Sequence, residues 1–539
     1  MPTLRFDWHG SGESAGEDGD PARVLAWLES LRGAIQRLRD DTGVSEIVLV
    51  GLRMGATMAA LVAEEMNDIQ GLALLAPVVS GKAYVREMRA LAAFGLAGIK
   101  NGLDKKQPEA AQAESNGDIE AAGFVLSART ADDLRGLDLL QTLRRRPAGR
   151  VLLMHRPDAP TDPRLAARLK ELGAEVAESD IPDYGEWVCD SEWSTAPRIA
   201  FDRLVAWLRD GARERPLQLA LPAPARVRLP GAVEESIALV GRADLVATAC
   251  TPSETAADAD RPALLFLNTG WYARMGANRI AVTLARRYAA QGFTSLRLDL
   301  AGVGDSEAAS DTTGETGSLV YNLNSCTDVV AALDWLEARG HKRVVVFGMC
   351  SGAYLGFQAA QRDTRIVGQV LVNPQRFEWT QTDSIELVNR VTGQAARHLL
   401  RDGLRAVMRP GKLGRLLSGD PAAWRMARAV GERTMNALRR RVSSTTPDTA
   451  VARDMRMLFQ RGVKTLLVFS AGDAGLAECA HQFGEELELL NADVNLGFEI
   501  IEGATHTLAE RRSRAALERL LDAFLAPWVA AVSQGAKAA

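Results

Sequence analysis

Residues 344–353 read VVVFGMCSGA and decide the fold. Apolar, mostly β-branched residues, typical of a buried parallel strand, end in Gly-x-Cys-x-Gly, and helix-forming residues follow over 354–360. The turn between strand and helix is too tight for flanking side chains, so glycines stand there and Cys350 is pushed out above the sheet edge. A thiol at this place lies near a helix N-terminus, which favours the thiolate. The alternative interpretation is a buried structural cysteine.

The composition is that of a globular protein, with 47% hydrophobic and 24% charged residues among 539. This length predicts two to four domains, and a net charge of -4 argues against a nucleic-acid partner. No apolar run approaches the ~18 residues of a membrane span, and the first residues lack a signal-peptide pattern, so we expect a cytoplasmic protein without a transmembrane segment. The five cysteines have no CxxC spacing, which indicates neither a zinc site nor a disulfide framework, and no metal or other cofactor is implied.

The chain contains the same unit twice. Five segments recur in the same order: 4–14 and 296–306, 46–50 and 343–347, 51–56 and 348–353, 71–77 and 368–374, and 151–155 and 466–470. Strands and helices alternate at this spacing. The sequence therefore predicts an α/β protein with a doubly wound, mostly parallel sheet in each copy.

The first copy has lost the residues that chemistry would need. Arg53 stands at the place of Cys350, and Trp187 lies in the segment that corresponds to the loop of His506. Asp158 corresponds to Asp473. We therefore expect the first copy to be a catalytically silent pseudo-enzyme that packs against the second copy, presents substrate, or offers a surface to a protein partner or an oligomer.

The domain boundaries follow from a proline-punctuated connector. We expect a degenerate domain over 1–212, a linker over 213–224 and a catalytic domain over 225–539, which opens with a hairpin of strands at 236–240 and 244–250. The first copy has no equivalent of 225–295, so its sheet is reduced or its natural start lies upstream. We favour the second explanation, which a native N-terminus at Met1 would contradict.

Three residues of the second copy could form a catalytic triad. Cys350, Asp473 and His506 each follow a predicted strand, in the chain order nucleophile, aspartate, histidine. A thiol nucleophile needs a base, and the base needs a carboxylate to orient it. Taken alone, His506 is equally well explained as a histidine in a surface loop. An isolated aspartate such as Asp473 in a glycine-containing turn more often stabilises the turn than takes part in catalysis. Their common placement at strand ends favours the triad.

The second copy also offers donors for an oxyanion. One is the backbone amide of Ser351, and the other is the amide of Gly270 or Trp271 in the loop after the predicted strand at 263–267. A purely structural strand-to-helix turn is compatible with this role. Asp299 closes a further strand at the same edge and indicates a structural turn beside the site.

Residues 375–450 are rich in arginine and interrupt the strand pattern, which indicates a helical lid. The basic side chains would attract an anionic substrate, such as a sugar nucleotide, a phosphate-linked lipid carrier or a coenzyme A ester. The arginines are equally well explained as side chains on solvent-exposed helix faces with no role in substrate binding. Trp379 and Trp424 would line the pocket or pack the lid.

With these motifs, residues 264–528 resemble the α/β-hydrolase superfamily. More narrowly, both copies look like the paired hydrolases that accompany exosortase A and bacterial exopolysaccharide gene clusters. GMCSGA at 348–353 is similar to the cysteine-bearing member, and GLRMGA at 51–56 to the other, which also has arginine at the elbow. The resemblance implies a fusion of the two, the hydrolase fold, and a role in surface-polysaccharide or acylated-glycan metabolism. It does not supply a substrate.

Most α/β-hydrolases carry serine at the elbow, and the cysteine here favours thioester or activated-ester chemistry. The sequence thus predicts an acyl hydrolase or acyltransferase that acts on a small ester or thioester through an acyl-thioenzyme. The rival interpretation is a non-catalytic scaffold of a polysaccharide assembly system, in which both copies are binding modules. The second copy, however, retains each part that the first has lost.

Overall fold

The structure, a computed structural model of the chain, describes residues 2–102, 117–159, 161–188, 194–210, 226–229, 233–241, 245–252, 261–308, 320–379, 448–484, 487–490 and 493–538. The chain divides into two compact units, Met1–Ala225 (unit 1) and Arg226–Ala539 (unit 2). The predicted linker at 213–224 lies outside the described residues, as does the predicted lid between 380 and 447. Within the described ranges, no helix combines the length and apolarity that a membrane span requires.

Unit 1 is built on a four-stranded parallel sheet with the order β1-β2-β5-β6 and a separate β3-β4 hairpin. Its strands are β1 (Ile47–Leu52), β2 (Ile69–Leu75), β3 (Ile119–Ala121), β4 (Phe124–Leu126), β5 (Arg150–His155) and β6 (Glu175–Asp180). Its helices are α1 (Arg23–Thr42), α2 (Met54–Met66), α3 (Gly81–Gly102), α4 (Ala128–Arg135), α5 (Leu139–Thr142), α6 (Pro163–Glu171), α7 (Tyr184–Trp187) and α8 (Arg198–Asp210).

Unit 2 contains a nine-stranded sheet with the order β15-β14-β13-β12-β10-β11-β9-β8-β7. Its strands are β7 (Arg226–Leu229), β8 (Val233–Val240), β9 (Leu245–Pro252), β10 (Ala263–Phe266), β11 (Ser295–Leu298), β12 (Val344–Met349), β13 (Ile366–Val372), β14 (Lys464–Ser470) and β15 (Leu496–Ile501). Strands β10 to β15 pair in parallel, and β7, β8 and β9 are antiparallel, with β8 and β9 forming the predicted hairpin.

Helices of unit 2 connect the parallel strands. They are α9 (Ile280–Ala289), α10 (Cys326–Glu337), α11 (Ser351–Arg362), α12 (Ala450–Gln460), α13 (Gly475–Phe483) and α14 (Arg511–Ala538), with short 3-10 turns at Ala277–Arg279, Leu323–Ser325 and Glu488–Leu490. The predicted doubly wound sheets are confirmed. The four strands of unit 1 correspond, in the same order, to β12 through β15 of unit 2.

The central strand β12 explains why its sequence is apolar without alternation. Val344 and Val346 pack into one hydrophobic cluster with α10 and α11, and Val345 and Phe347 pack into a second cluster with α9 and α14. Because helices cover both faces of a parallel sheet, every side chain of such a strand is buried. The carboxyl ends of β10, β12, β13, β14 and β15 meet at one edge, where loops deliver side chains to the site.

Candidate active site

Cys350 lies at a strained turn between β12 and α11. Its backbone has φ 57° and ψ −116°, a conformation that non-glycine residues rarely adopt and that costs about 1–3 kcal/mol. A Cβ on Gly348 would collide with the backbone of Gly352, so the turn requires glycine there. The geometry leaves the thiol half-buried at the N-terminus of α11, as an elbow requires.

His506 and Asp473 form a close pair beside the elbow. The Nδ1 atom of His506 is 2.6 Å from Oδ2 of Asp473, whose side chain is only 4% exposed. Asp473 also accepts a hydrogen bond from the Gly475 amide through Oδ1, at 2.8 Å, so its carboxylate is fixed on both oxygens. With the Nδ1 proton donated to Asp473, Nε2 of His506 is the nitrogen left for a reacting group.

The charges around His506 favour an imidazolium. Burial lowers the pKa of His506, whereas the negative charge of Cys350 and the hydrogen bonds with Asp473 and Cys350 raise it. The second set of effects is larger, so the pKa of His506 lies well above its usual value of 6.5. The structure thus brings the three predicted catalytic residues into one hydrogen-bonded set.

The predicted oxyanion loop lies directly on the elbow. The Gly270 amide donates a hydrogen bond to Oγ of Ser351 at 2.8 Å, and a Cβ on Gly352 would lie 2.5 Å from the Asn268 carbonyl oxygen. The Ser351 amide is the first N–H of α11, where a helix has no acceptor of its own. The Gly270 amide, one of the two predicted alternatives for the second donor, is thus engaged by the Ser351 side chain, and Trp271 is the other alternative.

A buried carboxylate anchors the oxyanion loop. Asp299, fully buried, accepts hydrogen bonds from the Arg274 amide and guanidinium at 2.6 Å each, from the Asn268 side chain at 3.2 Å and from the Asp305 amide at 3.1 Å. Asn268 in turn accepts from the Leu300 amide at 2.8 Å. The turn at Asp299 therefore has a role in positioning the loop, which the sequence alone did not reveal.

Asn373, directly after β13, binds the loop that contains His506. Its side-chain amide donates to the His506 carbonyl oxygen at 2.6 Å and to Oγ of Ser470 at 2.9 Å, and its own oxygen accepts from the Ser470 amide at 2.7 Å. Ser470 Oγ donates to the Thr505 carbonyl oxygen at 2.8 Å. In unit 1 the corresponding residue is Ala76, with a similar φ of 44° against 48° for Asn373. Comparison of the two copies could have pointed to Asn373.

We predict that Asn373→Ala slows turnover about tenfold to a hundredfold while the folded state persists, because an untethered loop leaves His506 less precisely placed. The same variant removes the acceptor of the buried Ser470 amide, at a cost of about 1–3 kcal/mol in the free energy of unfolding. Steady-state kinetics and urea unfolding would measure the two effects separately. Unchanged kcat alongside reduced stability would contradict the positioning role.

Two further buried side chains reach the catalytic groups. Nε2 of Gln375 lies 3.4 Å from Nε2 of His506, and the hydroxyl of Tyr321 lies 3.6 Å from Sγ of Cys350. Gln375 follows β13 by three residues, so its place at the carboxyl edge was accessible to sequence reasoning. Tyr321 lies in a segment without regular pattern, and no local signal distinguishes it.

Unit 1 has the backbone conformation of the elbow but an arginine in place of the thiol. Arg53 has φ 55° and ψ −120°, nearly the angles of Cys350, and its guanidinium pairs with Glu87. Arg156 pairs with the same carboxylate at 3.2 Å and with Asp158 at 3.1 Å. The side chain of Trp187 packs edge-on against Phe201. An ion-pair network thus occupies the place of the thiol.

Replacing Arg53 with alanine is predicted to leave turnover at Cys350 within about twofold of the wild type. We expect the free energy of unfolding to change by less than about 1 kcal/mol, because a solvent-accessible ion pair contributes little. Parallel kinetic and thermal-unfolding measurements would test this. A tenfold or larger loss of turnover would mean that unit 1 contributes to the reaction.

Family models match both units. Residues 264–519 match the α/β hydrolase family, and this range contains Gly270, Cys350, Asp473 and His506. Residues 2–117 match the serine aminopeptidase S33 family, although Arg53 occupies the elbow there. No curated protein matched the chain.

The solved structures to which the chain is similar include several hydrolases. A dienelactone hydrolase from Anabaena variabilis is 14% identical, with 55% of this chain and 95% of that chain covered and a TM-score of 0.32. An esterase from Pyrococcus furiosus is 13% identical, with 57% and 92% covered and a TM-score of 0.32. A putative hydrolase from Agrobacterium vitis is 14% identical, with 54% of this chain and 99% of that chain covered and a TM-score of 0.31.

One matched range lies in each unit, and each range contains an elbow, at the end of β1 in unit 1 and at the end of β12 in unit 2. The chain therefore joins two α/β-hydrolase-like units in tandem and is an enzyme of the α/β-hydrolase fold.

Proposed function

We propose that unit 2 is an acyl hydrolase or acyltransferase that works through a covalent thioester on Cys350. The observation that carries this proposal is the hydrogen-bonded set of Cys350, His506 and Asp473 at three strand ends, with His506 and Asp473 joined at 2.6 Å. Nucleophile, base and orienting carboxylate have the mutual placement that acyl transfer uses.

The first half of the reaction forms the acyl-thioenzyme. Sγ of Cys350 attacks the carbonyl carbon of an ester or thioester, and the amides of Ser351 and Trp271 stabilise the oxyanion. As the tetrahedral intermediate collapses, Nε2 of His506 donates its proton to the departing alcohol or thiol. Asp473 holds the imidazole in orientation and stabilises its charged form.

The second half releases the acyl group. Nε2 of His506, now neutral, takes a proton from water or from an acceptor alcohol, whose oxygen attacks the thioester carbon and regenerates Cys350. Water gives hydrolysis and a sugar hydroxyl gives transfer. Which of the two reactions occurs depends on whether the site excludes water.

The proposed substrate class is an activated ester or thioester, because thiolates exchange readily with thioesters. The resemblance to exopolysaccharide-linked hydrolases supports an acylated glycan as donor or acceptor. Arginines of the predicted lid, outside the described residues, are the sequence feature that supports an anionic substrate.

A non-catalytic scaffold is the second candidate. It is favoured by unit 1, where an arginine paired with Glu87 replaces the nucleophile at an otherwise similar elbow. A protein that binds through both units would need neither a nucleophilic thiol nor an imidazole beside it.

Intact-mass measurement separates the two candidates. The protein and its Cys350→Ala variant are incubated with a panel of acyl-coenzyme A and activated esters. A transient adduct that maps to Cys350 supports the acyl-thioenzyme, and its decay with and without sugar acceptors distinguishes transfer from hydrolysis. Equal adduct on the variant contradicts the role of Cys350, and no adduct with any donor shifts the weight to the scaffold.

A further inference from the structure

Tyr321 is held rigidly beside the thiol by two aromatic rings. Its ring stacks on Trp379, with centroids 4.2 Å apart and planes 9° from parallel, and it meets Tyr354 edge-on at 5.3 Å. Only 4% of Tyr321 is exposed. Offset and edge-on contacts of this kind restrict the orientation of a ring, so the direction of the phenol hydroxyl is fixed as well.

The hydroxyl of Tyr321 points at the nucleophile. Its oxygen is 3.6 Å from Sγ of Cys350, within hydrogen-bond distance for sulfur. A phenol keeps its proton at neutral pH, whereas a thiolate has none to give, so the phenol is the donor once Cys350 is ionised. Hydrogen bonds to charged acceptors are stronger than neutral ones, and this bond therefore favours the thiolate over the thiol.

We propose that Tyr321 is a catalytic residue of unit 2 that stabilises the Cys350 thiolate by donating its hydroxyl proton in a hydrogen bond to the sulfur. The assignment rests on the proposed role of Cys350. The thiolate then has three stabilising influences from three directions: the N-terminus of α11, the imidazolium of His506 and the phenol of Tyr321. Acylation neutralises the sulfur and releases the phenol from this bond.

The pH dependence of Cys350 alkylation by iodoacetamide tests the proposal without any substrate. Peptide mass spectrometry follows the reaction at Cys350 in the wild type, Tyr321→Phe and Tyr354→Phe. Phenylalanine keeps the ring and its packing and removes only the hydroxyl. Tyr354 is the matched control, because it is a buried tyrosine in contact with Tyr321 whose hydroxyl we assign no role at the sulfur.

In Tyr321→Phe the midpoint of the alkylation profile is expected to move up by about one pH unit, which is a roughly tenfold lower rate at pH values below the midpoint. Tyr354→Phe is expected to match the wild type. An unmoved midpoint in Tyr321→Phe, or an equal shift in both variants, overturns the role of Tyr321.

The outcome also separates this inference from the proposed function. If Cys350 of the wild type reacts no faster than the buried Cys326, both the thiolate nucleophile and the role of Tyr321 fail. If Cys350 is reactive and Tyr321→Phe leaves its profile unchanged, only the role of Tyr321 fails. Thermal unfolding of both variants establishes that neither has lost its fold.

Discussion

Cys350→Ala is expected to lower acyl turnover by roughly 10⁴-fold or more, because the covalent intermediate can no longer form. Activity that remains would come from binding and from the oxyanion amides of Ser351 and Trp271 acting on attack by water. Alanine keeps the Cβ of cysteine, so the positive φ at the elbow is no more strained than before. Steady-state kinetics and the loss of the covalent adduct measure the effect.

The control for this variant is Cys326→Ala, which removes a buried thiol from α10 outside the site. It should keep turnover within about twofold, although the loss of buried volume lowers stability by about 1 kcal/mol. Turnover that survives in Cys350→Ala with an unchanged melting curve would show that another residue carries the chemistry.

Asp473→Asn has the second largest expected effect, a fall in kcat of roughly 10³–10⁴-fold. The asparagine amide donates to Nδ1 of His506 and so places the proton of the neutral ring on Nε2, the nitrogen that must receive one. The change also removes a negative charge that raises the pKa of His506. We therefore expect the pKa of His506 to fall, and the limb of the kcat/KM profile that titrates this residue to move to lower pH.

Asp522→Asn provides the comparison for Asp473→Asn. Asp522 lies on α14 and pairs with Arg287 at 2.6 Å, so its replacement removes a carboxylate from an ion pair outside the site. Turnover and its pH profile should match the wild type. A small loss in Asp473→Asn, with the pH profile unmoved, would contradict the orienting role of Asp473.

The sequence predicted the fold well because its strongest patterns are local. The apolar run of β12, its glycines and the helix after them specify the elbow within a few residues. The duplication then located three strands of unit 1, β1, β2 and β5, in their correct order, but not β6. The strand β7 was not predicted, since its sequence RVRL alternates charge with apolar residues over only four positions.

The supporting contacts of the site could not be predicted from sequence in the same way. Tyr321 meets Cys350 across 29 residues, and Asn373 meets His506 across 133. Such contacts depend on which strands become neighbours and on how loops pack above them, and no periodic pattern encodes them. Cys350, Asp473 and His506 have recognisable types and spacing, whereas no local spacing marks Tyr321, and only comparison of the two copies points to Asn373.

The elbow of unit 1 has a consequence for protein engineering. The backbone at Arg53 already adopts the conformation that a nucleophile needs, and Ala76 shares the positive φ of Asn373. The backbone of a second elbow is therefore present, whereas the described part of unit 1 has no thiol, imidazole or tethering amide at the corresponding positions and no counterpart of the loop with Gly270 and Trp271. An engineered version of unit 1 would therefore start from a backbone turn that already has the required positive φ. Two active sites with different specificities would then lie in one polypeptide.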